Sequence, residues 1–205
     1  MAKQDYSEEL DAAIQEADTV LPGKKSAQPI MKYIASAESD YGQTHLKPGA
    51  LSYGPFQIDP IRYYDIAQNP ERANQLRISR VNEHLRRKFG NPDFDISKLA
   101  TYNPETRGYD DVNLDLMRSP LVGAMLTRMA LMQDKGDLPG KEGLARYYQD
   151  FWGPRWSQSE DEEFKALKRQ EVQKKYDAYH SDAHFTQPVD DTMAGYNSVE
   201  SAFTK

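Results

Sequence analysis

Residues 37–58 read Ala-Glu-Ser-Asp-Tyr-Gly-Gln-Thr-His-Leu-Lys-Pro-Gly-Ala-Leu-Ser-Tyr-Gly-Pro-Phe-Gln-Ile, and the chain changes character inside them. On the N-terminal side the pattern is helical. Ser26 has the chemistry of an N-cap, and Pro29 falls in the first turn, where a missing N–H costs nothing. Ile30, Tyr33, Ile34 and Ala37 then recur at helical spacing, and Gly42 is placed to stop the helix. From Gln43 to Pro60 the residues Pro48, Gly49, Gly54, Pro55 and Pro60 break any helix. Leu51-Ser52-Tyr53 and Phe56-Gln57-Ile58 suit short extended pieces, which predicts a small β-hairpin or looped flap directly after the helix.

Glu38 stands at this junction. It continues the stripe of Ile30, Ile34 and Ala37, so it points where the core-facing side chains point. Burial disfavours the charged form of a carboxyl, and the negative end of the helix dipole disfavours it further. An acid that keeps its proton near neutral pH is what glycoside cleavage needs. Position alone is weak support, because a glutamate in a helix's last turn is ordinarily a surface group.

Working outward, Ser7 to Val20 is helical, with Leu10, Ile14 and Ala17 on one stripe and Leu21-Pro22-Gly23 as its stop. Helical patterns return at Ile61–Ala67 and Ala73–Phe89, and Gly90–Asn113 reads as loop. Ser119-Pro120 opens a strongly apolar helix with Val122, Met125, Met129 and Met132 in line, closed by Gly136. Lys141–Trp152 is a short aromatic helix. Glu160–Tyr179 is a long charged one, with Phe164, Leu167, Val172 and Tyr176 expected to face inward. The chain therefore reads as a mainly α protein of α+β type, a helical domain with one small β flap after the helix of Glu38. Its expected parts are an N-terminal helix in 1–25, the main domain in 26–156, a C-terminal helix in 157–180 and an extended tail in 181–205.

The 205 residues suit one domain with appendages, and 38% apolar with 28% charged residues describes a folded chain with a polar surface. A net charge of −6 argues against nucleic acid as the default partner and offers no steering toward an anionic cell wall. The absence of cysteine excludes disulfides and thiolate metal sites. No apolar run of signal-peptide or membrane-span length is found, so the expectation is a protein made in the cytoplasm without an export signal. His180 and His184 have i, i+4 spacing but no third ligand, so neither a metal nor another cofactor is expected. Thirteen tyrosines against two tryptophans permit a sugar-lined groove without requiring one.

The pair AESDYG and SYGPFQI resembles the lysozyme-like lytic transglycosylases and goose-type lysozymes, in which Glu-Ser ends a helix and Gly-x-x-Gln-Ile follows after a loop. The resemblance covers roughly Ser26 to Trp156. It implies a lysozyme-like fold and peptidoglycan glycan strands as substrate, cut at the MurNAc–GlcNAc bond. It makes Glu38 the catalytic acid. Ser39 and Gln57 would lie in the cleft and bind sugar or orient the acid, and Gly54 would let the flap backbone pass close to the glycan. Phe56, standing with Pro55 where the family often has Leu-Met, would offer an apolar platform. Ser119–Ala124 resembles the opening of the family's core helix, with a small residue where helices cross. Leu144-Ala145-Arg146-Tyr147-Tyr148 stands where the family has Ala-Tyr-Asn. Tyr147 would then be the tyrosine that reaches the acid, and Tyr148 takes the place of the asparagine.

Two chemistries use such an acid. A hydrolase needs a second carboxylate, whereas a lytic transglycosylase lets the sugar's own hydroxymethyl oxygen attack. Asp40 would face away on a continuing helix and Asp59 follows the flap, so neither is a compelling second carboxylate. The transglycosylase is therefore the preferred expectation, with muramidase hydrolysis second. A wall-cutting enzyme lacking its own export signal suits a bacteriophage virion protein released at infection, its tail from Ser181 docking on other virion proteins. A free endolysin, or a structural virion protein without activity, are the alternatives.

Overall fold

The computed structural model of the chain describes residues 7–39, 41, 52–134, 137–153 and 155–180. Eight α-helices and one two-stranded sheet occur among them. The sequence-predicted class, mainly α with a small β element, is the observed one.

Helix α1 (Ser7–Val20) buries Leu10, Ala13, Ile14 and Ala17, the stripe predicted for it. Helix α2 (Gln28–Ser39) buries Ile30, Met31, Tyr33, Ile34 and Ala35. Asp18 of α1 ties the two together. Its Oδ1 accepts from the Ala27 amide at 3.0 Å, and its Oδ2 accepts from the Ser26 hydroxyl at 2.6 Å. Ser26 Oγ in turn accepts from the Gln28 amide at 3.3 Å, which is the capping role its sequence position predicts. Arg128, buried to 2% exposure, closes the joint by donating from Nε to the Leu21 carbonyl at 2.9 Å and facing Asp18 at 3.1 Å. A Cβ on Gly23 would fall 2.5 Å from the Arg128 guanidinium, so the glycine after α1 makes room for this buried cation.

Helix α2 stops as Tyr41 turns left-handed (φ 54°) and its amide reaches back to the Ala35 carbonyl at 3.1 Å. This conformation is costly for a tyrosine. It is held by burial, by the Tyr41 hydroxyl donating to Asp11 at 2.5 Å, and by the His180 ring 4.5 Å away. The predicted stop, Gly42, lies outside the described residues, as do Asp40, Leu51, Gly136, His184 and the tail 181–205.

Among the described residues the predicted flap runs from Ser52 to Ile58. Tyr53 and Ile58 form a single antiparallel bridge with amide–carbonyl distances of 3.2 and 3.0 Å around a turn at Gly54–Gln57. The regular sheet lies further on, where the sequence reads as loop. Strands β1 (Ala100–Asn103) and β2 (Gly108–Val112) pair antiparallel with an irregularity between Thr101 and Tyr102. Four and five residues, mostly polar, are too few to display a strand's alternation against a turn-rich background.

Asp59 caps α3 (Pro60–Tyr63), which passes into a π-helical turn over Tyr64–Gln68. Helix α4 (Gln75–Phe89) ends at Gly90 in the left-handed region (φ 61°). A short α5 (Leu114–Arg118), also unpredicted, leads into α6 (Pro120–Leu131), which Ser119 caps. From Leu121 to Leu131 every residue of α6 is buried, as befits the central helix of a core. Helix α7 (Leu144–Tyr147) continues as a second π-helical turn, Tyr148–Trp152.

Helix α8 (Glu162–Tyr179) packs along α2. Val172 and Tyr176 face inward as predicted, but Phe164 and Leu167 are exposed at 39% and 58%. Only the second half of α8 reaches the core. One buried cluster runs from Leu10 of α1 to Tyr176 of α8, so both flanking helices share the core of the central region. Among the described residues no helix is long and apolar enough to cross a membrane.

Candidate active site

Glu38 lies in the last turn of α2 and is half-buried. Tyr148, on the π-helical turn after α7, donates its hydroxyl to Glu38 Oε1 at 2.8 Å. Turns of this kind are rare and often mark functional positions. Tyr148 is 3% exposed, with the ring of Tyr33 5.8 Å behind it and the ring of Tyr176 5.3 Å beyond that. Burial, and then the charge of Glu38, push the Tyr148 phenol well above its ordinary range. The hydroxyl therefore keeps its proton and acts as a donor toward the carboxyl.

Arg62 of α3 packs on the end of the same π-helical turn. Its guanidinium lies 3.7 Å over the Trp152 ring and donates from Nη2 to the Trp152 carbonyl at 2.5 Å. Burial weakens the hold of Arg62 on its proton, and the charges of Asp59, Glu38 and Asp65 act the other way. An arginine stays cationic in such surroundings. Asp59 is already engaged. Its Oδ1 accepts from the Arg62 amide at 2.8 Å as the α3 cap, and its Oδ2 lies 3.8 Å from Arg62 Nε.

The other predicted site residues fall in different places. Ser39 is fully buried and its hydroxyl donates to the Ala35 carbonyl at 3.0 Å, so it braces the helix end and does not face a groove. Phe56 is fully buried too, against Gly123 of α6, where a Cβ would stand 3.0 Å from Phe56 Cδ2. It anchors the flap and offers no platform to a sugar. Gly123 accordingly receives a flap ring. Gly54 is needed, for a different reason from the expected one: its φ is +73° and a Cβ would sit 2.8 Å from the Met117 carbonyl oxygen. The close approach is to the protein's own α5. Gln57, half-buried and left-handed (φ 47°), donates its side-chain amide to the Gly54 carbonyl at 2.8 Å and so closes the flap turn.

Tyr147 does not reach Glu38. Its hydroxyl donates to Asp134 at 2.8 Å and its ring packs 5.2 Å from Phe151, beside a surface pocket of about 440 Å³. The tyrosine that meets the acid is its neighbour. A signal for this was present, because Leu144, Tyr148 and Trp152 recur every four residues and all three are buried. That phase puts Tyr148, and not Tyr147, on the inner face. Arg62 carried no comparable signal, and Trp152 carried only that of the Phe151-Trp152-Gly153-Pro154 ending, which resembles the aromatic-Gly-Pro ending of phage members of the family.

His180 is buried between the rings of Tyr41 and Tyr176, and His184, with which its i, i+4 spacing predicts no metal pair, lies outside the described residues. Among the described residues no group of three His, Asp or Glu side chains could hold a metal ion. The site thus offers a half-buried carboxyl, a phenol donor on one oxygen and an arginine nearby. No protein-family model, curated protein or solved structure matches this chain.

Proposed function

We propose that this protein cleaves the glycan strands of peptidoglycan as a lytic transglycosylase, with Glu38 as its acid and then its base. The observation that carries the reading is the Glu38 carboxyl itself. It closes an apolar helix, is half-buried, and is oriented through one oxygen by Tyr148. The resemblance of residues 37–58 to the Glu-Ser and Gly-x-x-Gln-Ile signature names the substrate class.

The chemistry needs one carboxyl. Glu38 gives its proton to the glycosidic oxygen between MurNAc and GlcNAc, and the bond from C1 breaks with its electron pair on that oxygen. The 6-hydroxyl of the same MurNAc attacks C1 and forms the new C1–O6 bond. Its proton passes to the Glu38 carboxylate, which returns to its starting form. A hydrolase would need a second carboxylate within about 5–9.5 Å. Among the described residues the candidate for that role, Asp59, is engaged by the α3 cap and by Arg62, which favours the anhydro-forming route.

Digestion of purified peptidoglycan followed by mass spectrometry of the products tests the proposal. Anhydro ends are expected from the wild type. Reducing ends would make the protein a muramidase, and no cleavage would leave a lysozyme-like structural protein. Carriage in a phage particle, with 181–205 as the docking segment, belongs to the same proposal. Its check is the presence of the protein in purified particles, not only in lysate.

A further inference from the structure

Arg62 is absent from the signature that points to Glu38, yet it is built into the site more firmly than several residues that belong to it. Its backbone amide is tied to Asp59, its guanidinium lies 3.7 Å over the Trp152 ring, and its Nη2 donates to the Trp152 carbonyl. Trp152 ends the π-helical turn that Tyr148 begins, and Tyr148 holds Glu38. Arg62 therefore bridges the element after the flap to the turn that orients the acid.

We infer that Arg62 is the positioning residue of this site: it pins the Tyr148–Trp152 turn against α3 and supplies the fixed positive charge beside which Glu38 releases its proton. This rests on Glu38 being the acid of the proposed reaction. A side chain that only joined α3 to this turn would need a donor for the Trp152 carbonyl and a face for its ring, and neither has to be ionic. Arg62 instead keeps a cation within the field of Glu38 and Tyr148. Donating a proton to the glycosidic oxygen leaves a carboxylate behind. A cation and a phenol donor already in place stabilise that carboxylate without reorganisation.

Among the described residues, the groups that act on Glu38 or through its partners come from several packed elements. Tyr148 comes from the π-helical turn, Arg62 and Asp59 from the start of α3, and Asp65 from the turn after it. Arg169 and Asp177 of α8 act one layer back, on Tyr33. Of the groups named, Arg62 is a cation whose charge is coupled to that of Glu38.

The test is the titration of the Glu38 side-chain carboxyl by ¹³C NMR in the full-length protein, with wall cleavage followed across pH in parallel. Arg62→Gln and Arg62→Met remove the charge, the second keeping bulk over Trp152, and Arg62→Lys keeps it. The neutral variants are expected to raise the Glu38 midpoint by about half a pH unit or more, and the lysine variant by less. The alkaline limb of kcat/KM should move upward by the same amount. A structural brace would lower cleavage equally at every pH and leave the midpoint still, which would overturn the inference. Loss of the fold in both neutral variants would overturn it too, since Arg62 would then be holding the fold and not the acid. The NMR midpoint does not depend on turnover. A shift in a protein that cuts no wall would sink the transglycosylase and keep the role of Arg62.

Discussion

Tyr147 and Tyr148 are adjacent in sequence and opposite in role. One helical step turns the first hydroxyl to Asp134 and the second to Glu38. Tyr148→Phe keeps the ring against Tyr33 and removes the donor. A hydrogen bond to a charged group is worth about 1.5–3 kcal/mol, so cleavage is expected to fall about tenfold or more. Losing that donor disfavours the carboxylate, so the acid of the variant holds its proton to higher pH and the alkaline limb of activity moves up. Tyr147→Phe is expected to cost about 1 kcal/mol of stability and to leave the pH profile in place. Rates measured from pH 4 to 9 for both variants check the pair, and equal profiles would show that Tyr148 does not act through Glu38. At this scale the order of its neighbours in the sequence singled out Glu38 as the candidate acid. It missed that Tyr148 meets Glu38 and that Arg62 meets Trp152, because both contacts form only after separate turns fold together.

The flap around Tyr53–Ile58 is one bridge and one turn, held from below by Phe56 in the Gly123 notch and by Gly54 against the Met117 carbonyl. Such an element has little energy of its own and takes its shape from α5 and α6. Gly54→Ala places a methyl group 2.8 Å from a backbone oxygen at a positive φ. Neither can yield cheaply, so a loss of about 1–3 kcal/mol is expected by chemical denaturation. A change below about 0.5 kcal/mol would mean that the flap is free to move away from α5. Helices of ten residues and more were legible from their spacing, α1 to the residue. The sheet at 100–112 and helix α5 were not, because segments of four or five residues carry no period. The inward reading of Phe164 and Leu167 failed for another reason. A helix's stripe says which face is apolar, but not how far along its length a partner extends.

Across the whole molecule the core is unusually phenolic. Tyr33, Tyr41, Tyr63, Tyr109, Tyr148 and Tyr176 are all raised, burial being the largest cause at each. A raised acid binds its proton more tightly folded than unfolded. Its contribution is complete below the unfolded value near 10 and is lost as pH climbs above it. Each such tyrosine withdraws about 1.4 kcal/mol per pH unit there, and several act together. The protein is expected to unfold cooperatively between about pH 10 and 11.5, with tyrosinate absorbance and loss of helical circular dichroism rising as one transition. Phenols ionising near pH 10 with the helices intact would contradict the burial described above. The same core sets the far side of Glu38, since Tyr33 stands behind Tyr148 and α8 stands behind Tyr33. The claim on which everything else depends is that Glu38 is the acid of a wall-cutting enzyme. Its most direct test is the product analysis of purified peptidoglycan digested by the wild type and by Glu38→Gln. The expected result is anhydro-ended fragments from the wild type and a loss of about 10²–10⁴-fold in the variant. Cleavage undiminished in Glu38→Gln, or none by the wild type, would contradict it.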